Sequence, residues 1–175
     1  VGTTSATRYE LDKSPIPDLY GGFSTNLEIH GFDFAANFAY QLGGYVYDSQ
    51  YSSLMNSGDA GNNWHKDIFN RWTPENRYTD VPRLQEGSLD QSVSGDYSLT
   101  SASYLSLRNI TLGYTLPKSW LSKAKIEKLR LYVVGDNMFL VSARKGFDPR
   151  QSFTGSTGYN YSALRTISFG INMEF

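Results

Sequence analysis

Ten consecutive residues alternate without a break. Ile167, Phe169, Ile171, Met173 and Phe175 are apolar, and Thr166, Ser168, Gly170, Asn172 and Glu174 between them are polar or small. In a strand, successive side chains point to opposite faces, so this segment sets one face in an apolar medium and leaves the other in a polar one. A chain with this pattern needs either a packed core or hydrocarbon against its odd-numbered side chains.

The same period recurs upstream. Phe34, Ala36, Phe38, Tyr40 and Leu42 share one parity, and Asp33, Asn37 and Gln41 share the other. Phe23, Leu27 and Ile29 oppose Ser24, Asn26, Glu28 and His30. The pair His30-Gly31 between them suits a two-residue hairpin turn, which predicts strands near 21–29 and 32–47. In 104–116 the parity slips: Leu105 and Leu107 are odd, while Ile110, Leu112, Tyr114 and Leu116 are even. One extra residue near Arg108-Asn109 repairs the phase, which predicts a β-bulge there. A fourth strand is predicted near 128–141, with Leu129, Leu131, Val133, Phe139 and Val141 on one face and Asn137 interrupting it. The fifth covers 163–175.

Composition removes several alternatives. The 175 residues carry 16 Lys and Arg against 17 Asp and Glu, a net charge of -1, without the basic excess of a nucleic-acid binder. There is no cysteine, so there is neither a disulfide framework nor a thiolate zinc site. The longest unbroken apolar stretches are Tyr132-Val133-Val134 and Met138-Phe139-Leu140-Val141, far short of the about 20 residues of a spanning helix. A spanning β-strand alternates and passes unseen by that test. The chain starts at Val1, so targeting information is expected outside it. No GxSxG, phosphate-cradling loop or HExxH occurs, so neither an enzyme nor a cofactor is expected. Asp59, Asn62, Asn63 and Asp67 could offer oxygens to calcium, but their spacing is not that of an EF-hand, and no metal site is expected. Asn109-Ile110-Thr111 matches a glycosylation sequon inside a predicted strand and is set aside.

The connections alternate in length. His30-Gly31 and 117–127 are short, whereas 48–103 has 56 residues and 142–162 has 21. Short turns on one edge and long loops on the other mark an outer-membrane barrel, whose long loops are extracellular. The expected fold class is therefore all-β, an antiparallel transmembrane β-barrel wall. Five strands at about 4.8 Å each make a ribbon only about 24 Å wide, which cannot close. The alternative is a soluble β-sandwich acting as a carbohydrate-binding module.

Several strings resemble SusC/RagA-like TonB-dependent transporters: Tyr104-Leu-Ser-Leu-Arg-Asn-Ile-Thr-Leu-Gly-Tyr-Thr-Leu-Pro117, Leu129-Arg-Leu-Tyr-Val-Val-Gly-Asp-Asn-Met-Phe139 followed by Lys145-Gly-Phe-Asp-Pro149, and Arg165-Thr-Ile-Ser-Phe-Gly-Ile-Asn-Met-Glu-Phe175. Asn70-Arg-Trp-Thr-Pro-Glu-Asn76, Thr79-Asp-Val-Pro-Arg83 and Pro17-Asp-Leu-Tyr-Gly-Gly-Phe23 are similar to a loop and a strand entry of that family. The resemblance implies the last five strands of a barrel of about 22. It also implies a plug domain and TonB-interacting segment outside these residues, a SusD-like surface lipoprotein as partner, and glycan or peptide import across the outer membrane.

Four features stand out as candidate sites. Ser168, Gly170, Met173 and Phe175 fit the β-signal read by the barrel-assembly machinery in related proteins. Trp64, Ile68 and Trp72 fall at helical spacing with Asn63 as a candidate N-cap, which predicts a short amphipathic helix. Its tryptophans serve either loop packing or contact with a ligand or partner. Tyr45, Tyr47, Tyr51, Tyr159 and Tyr161 are expected near outer strand ends, as an interfacial girdle or as ligand contacts. Lys118, Lys123, Lys125 and Lys128 crowd a turn around Trp120, where they could meet outer-membrane lipid headgroups.

Overall fold

The computed structural model describes residues 9–55, 61, 63–83, 96–122, 125–151, 155–158 and 161–175. Its main sheet has five antiparallel strands in the order β1 (Leu19–Ile29), β2 (Phe32–Leu42), β5 (Tyr104–Thr115), β6 (Lys128–Ser142) and β8 (Thr166–Glu174). Among these, neighbours in sequence are neighbours in space. The β1–β2 hairpin turns through His30 at φ 50° and Gly31 at φ 85°, the two left-handed residues that a turn matching the strand twist needs.

Register turns the sequence pattern into two surfaces. Leu27, Phe34, Leu112, Val133 and Phe169 stand directly opposite one another across all five strands. Ile29, Phe32, Tyr114, Leu131 and Ile171 form the next row, and Phe23, Phe38, Leu107 and Phe139 another. Phe23 stacks on Phe38 with ring centroids 4.7 Å apart, and Phe38 tilts against Phe139 at 6.3 Å. Among the described residues nothing covers this face. Phe169 is 81% exposed, and Leu27, Phe32, Leu112 and Ile171 are at least half exposed. A soluble sandwich would bury such a face against a second sheet; here it lies open, and the sandwich alternative is set aside.

The phase slip in β5 is a bulge. Asn109 pairs with Asn37 and Leu107 with Phe38, which leaves Arg108 as the extra residue. β6 accommodates it with two residues, Asn137 and Met138, between Asp136 (opposite Asn109) and Phe139 (opposite Leu107). Asn137 takes φ 52°, so the interruption seen in sequence is a second irregularity in which the apolar parity on either side survives.

The strand expected over 32–47 is two strands. Gly43 and Gly44, at φ 78° and 76°, turn the chain off the wall after Leu42. Tyr45–Asp48 becomes β3 of a small second sheet, flanked by β4 (Leu99–Ser101) and β7 (Ser156–Thr157). Val46, Ala102 and Phe147 form its buried core. The two long connections therefore pack on each other above one edge of the main sheet. The opposite edge carries the hairpin turn and the 116–127 connection, where Lys118–Leu121 forms one helical turn, α2, after Pro117.

Candidate functional site

The second face of the wall is polar and organised. Asn37, Asn109 and Asp136 are in register, and Asn109 Nδ2 donates to Asp136 Oδ1 at 2.8 Å. One level toward the short-turn edge, Arg130 on β6 spans β5 to reach Asp33 on β2, with Nε donating to Oδ1 at 2.8 Å and a terminal nitrogen to Oδ2 at 2.5 Å. The fork-to-fork geometry makes this a strong pair that ties three strands together. The Arg130 guanidinium also lies 4.8 Å from the Tyr132 ring centroid, within cation–π range. Asn26, Glu28, Gln41, Asn172 and Glu174 belong to the same face by register.

The four terminal-strand residues divide between the faces. Met173 stands opposite Leu129 on the apolar side, and Phe175 follows the strand, 84% exposed. Ser168 and Gly170 lie on the polar side, and the Tyr132 ring passes over Gly170 so closely that any Cβ there would collide with it.

The aromatic expectations need correction. Trp64 and Trp72 do not share a helix. A 3-10 turn covers only Lys66–Asn70, capped by His65, whose Nδ1 accepts from the Asp67 amide, and not by Asn63. Trp72 lies beyond the turn and is tied back through its amide to the Val81 carbonyl. A 3-10 turn advances three residues per turn, so the i, i+4, i+8 stripe is lost. Tyr159 lies outside the described residues, as do Lys123, Asp59 and Asn62. Tyr161 is almost fully exposed, and Trp120 beside Lys118 is 69% exposed. Tyr51 belongs to no girdle: Ser49–Met55 is a helix, α1, that buries it.

Tyr51 is instead the hub of a network invisible in sequence. Its amide donates to Asp48 Oδ1 at 3.0 Å, and its hydroxyl to Asp67 Oδ2 at 3.1 Å. The Arg144 guanidinium sits 3.6 Å from its ring centroid and pairs with Asp48 at 2.9 Å. His65 packs edge-on against the same ring and stands 3.3 Å from Asp67. Burial, reinforced by the Asp67 charge, pushes the Tyr51 phenol above its ordinary value. This ties 48–67 to 142–151 around a cavity of about 180 Å³, which is also lined by Lys145 and Gln151. Asp67, one of the residues with calcium-type oxygens, is engaged by Tyr51 and His65.

Asp148 and Arg150, two residues apart, make a local pair within the second loop. The buried carboxylate accepts from the Arg150 amide, from Nε at 2.8 Å and from a terminal nitrogen at 2.7 Å. Burial alone would raise this carboxyl. The hydrogen bonds from Arg150 and Ser162 outweigh it, and the net position is below the ordinary carboxylate value. A depressed native value means the contribution is present above the ordinary carboxylate range and is lost as pH falls through the native value. Asp148→Asn is expected to cost about 1.5–3 kcal/mol of local loop docking. Limited trypsin cleavage after Lys145 and Arg150 checks this: it should be slow at neutral pH in the parent and fast in the variant.

No family model matches the chain. Individual proteins do. It is 29% identical over 185 aligned positions to TonB-dependent receptor P3 of Formosa agariphila, covering 99% of this chain and 18% of that receptor. TonB-dependent receptor SusC of Bacteroides thetaiotaomicron is 27% identical over 175 positions, 99% of this chain and 17% of its own length. The RagAB peptide importer in its open-open state superposes with a TM-score of 0.78 at 30% identity, over 97% of this chain and 19% of that one. The chain is similar over nearly its whole length to SusC/RagA-like TonB-dependent transporters. It spans about a fifth of the length of the relatives it matches. By this likeness the five-stranded sheet has the fold of a stretch of β-barrel wall, and its uncovered apolar face and open strand edges are those of a wall segment. The relatives are transporters and receptors.

Proposed function

We propose that this chain forms barrel wall and outer loops of an energy-coupled importer in the outer membrane. The observation that carries this is the apolar face: its side chains run in register across five strands and remain open, opposite a face of hydrogen-bonded polar groups. Hydrocarbon on one side and water on the other is the environment that satisfies both. On this reading the wall is the C-terminal part of a barrel of about 22 strands. The connections 48–103 and 142–162 are extracellular. The cargo is a glycan or a peptide, a SusD-like lipoprotein covers the outer opening, and TonB acts through a region outside these residues.

The barrel-assembly machinery reads Ser168, Gly170, Met173 and Phe175. Trp64, Trp72, Tyr159 and Tyr161 offer contacts to ligand or partner on the outer side, and Trp120 with its lysines meets lipid at the inner leaflet. The test uses the full-length transporter. It should fractionate with outer membranes, need detergent for extraction and migrate differently on gels with and without heating. Removal of Phe175 should slow its insertion severalfold. A protein that stays in aqueous buffer without detergent contradicts the membrane reading, and unchanged insertion without Phe175 contradicts the assembly signal.

A further inference from the structure

The polar face carries a second cavity, larger than the one between the loops. It has a volume of about 580 Å³, within the size range of small-molecule sites, and it lies between the Pro15-Ile16-Pro17 segment and the loop-proximal end of β1, β2 and β5. Tyr20, Gln41 and Tyr104 stand side by side in one register row of that face and line it. Below them Ala39 keeps the floor low. Among the described residues no acidic side chain lines this cavity. Two arginines do. Arg150 is neutralised by Asp148, whereas Arg108 is exposed and takes part in none of the ion pairs among the described residues. Arg108 is also the unpaired residue of the β5 bulge, a device that re-aims one side chain out of the ladder.

We propose that this cavity is a binding subsite for a carboxylate-bearing ligand, with the carboxylate on Arg108 and the body of the ligand against the rings of Tyr20 and Tyr104. Guanidinium and carboxylate match as a planar fork, and the tyrosine rings supply apolar surface with a hydroxyl at the rim. The ligand chemistry fits an acidic sugar or a small acyl amino acid equally. The proposal rests on the reading of this face as the barrel interior.

The test uses the full-length transporter in detergent and two probe pairs, each differing only in the charge: phenyl glucuronide against phenyl glucoside, and N-acetylphenylalanine against its amide. Titration calorimetry should show the charged member of one pair binding about tenfold or more tighter than its neutral partner, as a charged hydrogen bond of this kind implies. The pair that shows the gap identifies the ligand type. Arg108→Gln should close the gap and Arg108→Lys should keep part of it, with heat-dependent gel migration unchanged in both. A gap absent from both pairs, or one that persists in Arg108→Gln, overturns the subsite. Labelling of Arg108→Cys by a membrane-impermeant maleimide, in a cysteine-free full-length background, separates the two levels. Labelling from outside the cell that either charged probe slows supports the subsite on an interior wall. Labelling that no probe slows rejects the subsite alone, and absence of labelling rejects the interior reading along with it.

Discussion

Phe169→Arg is expected to cut the amount of folded transporter in outer membranes severalfold, whereas Asn172→Arg, three residues along the same strand, leaves it near the parent level. Phe169 sits in the middle row of the apolar face with Val133, Leu112, Phe34 and Leu27, and it is 81% exposed. An arginine at the midplane of a lipid-facing wall costs about 2–4 kcal/mol. Asn172 has the opposite parity and pairs with Arg130 on the polar face. A second arginine there meets a like charge, but Asp33 already neutralises Arg130, and Glu174 lies two residues along the same face. Water in the lumen screens what repulsion is left. The check is heat-modifiable band intensity from outer-membrane fractions of the two variants. Equal yields would mean that hydrocarbon does not contact the face containing Phe169.

Gly170→Val should be as damaging, for a steric reason, and Tyr132→Ala should restore much of the loss. A side chain at 170 points into the Tyr132 ring, which in turn rests against the Arg130 guanidinium and so cannot swing freely. Overpacking of this kind costs about 1–3 kcal/mol, and valine also pushes β8 away from β6 where the two must pair. Truncating the tyrosine opens the space. This double substitution separates two roles for the glycine. If Gly170 serves only as a mark read by the assembly machinery, Tyr132→Ala does nothing for Gly170→Val, and the double variant stays as poorly inserted as the single. If it serves as the seat of Tyr132, insertion recovers in the double variant. Folding yield in outer membranes, measured for the parent, both single variants and the double, decides between the two.

Strand content and parity were legible in the sequence because both follow from a local rule. Side chains alternate with period two whatever the partner strand, so Ile167 to Phe175 announce their face without knowledge of β6. The bulge was legible for the same reason: an odd-to-even slip between Leu107 and Ile110 has no other local repair. Where a strand stops is less local. Tyr45 and Tyr47 continue the sequence of β2 with the residue types of a strand, and they do form one. The two left-handed glycines before them redirect it into another sheet, whose other members arrive from residues 99–101 and 156–157.

The site-level misreadings have the same origin. The Trp64, Ile68 and Trp72 stripe assumed 3.6 residues per turn, but the chain winds into a single 3-10 turn held by His65 and by the ties of Asp67 to Tyr51. No spacing rule brings Asp48 to Arg144 or Asp33 to Arg130, because these pairs are 96 and 97 residues apart. The signal available beforehand was indirect. An arginine and an aspartate of polar-face parity in separate strands can meet only if the strand order makes them close.

The amino-acid sequence alone determined that this chain makes long alternating strands with one apolar face, joined by short turns at one edge and long loops at the other. Backbone sterics and side-chain alternation act within a few residues, so they need no fold to be read. Tertiary structure decided everything that depends on register between strands: the Arg130–Asp33 bridge, the seat of Tyr132 on Gly170, the packing of two loops around Tyr51, and the meeting of Tyr20, Gln41, Tyr104 and Arg108 in one cavity. Those contacts join residues that only the pairing of distant strands brings within reach.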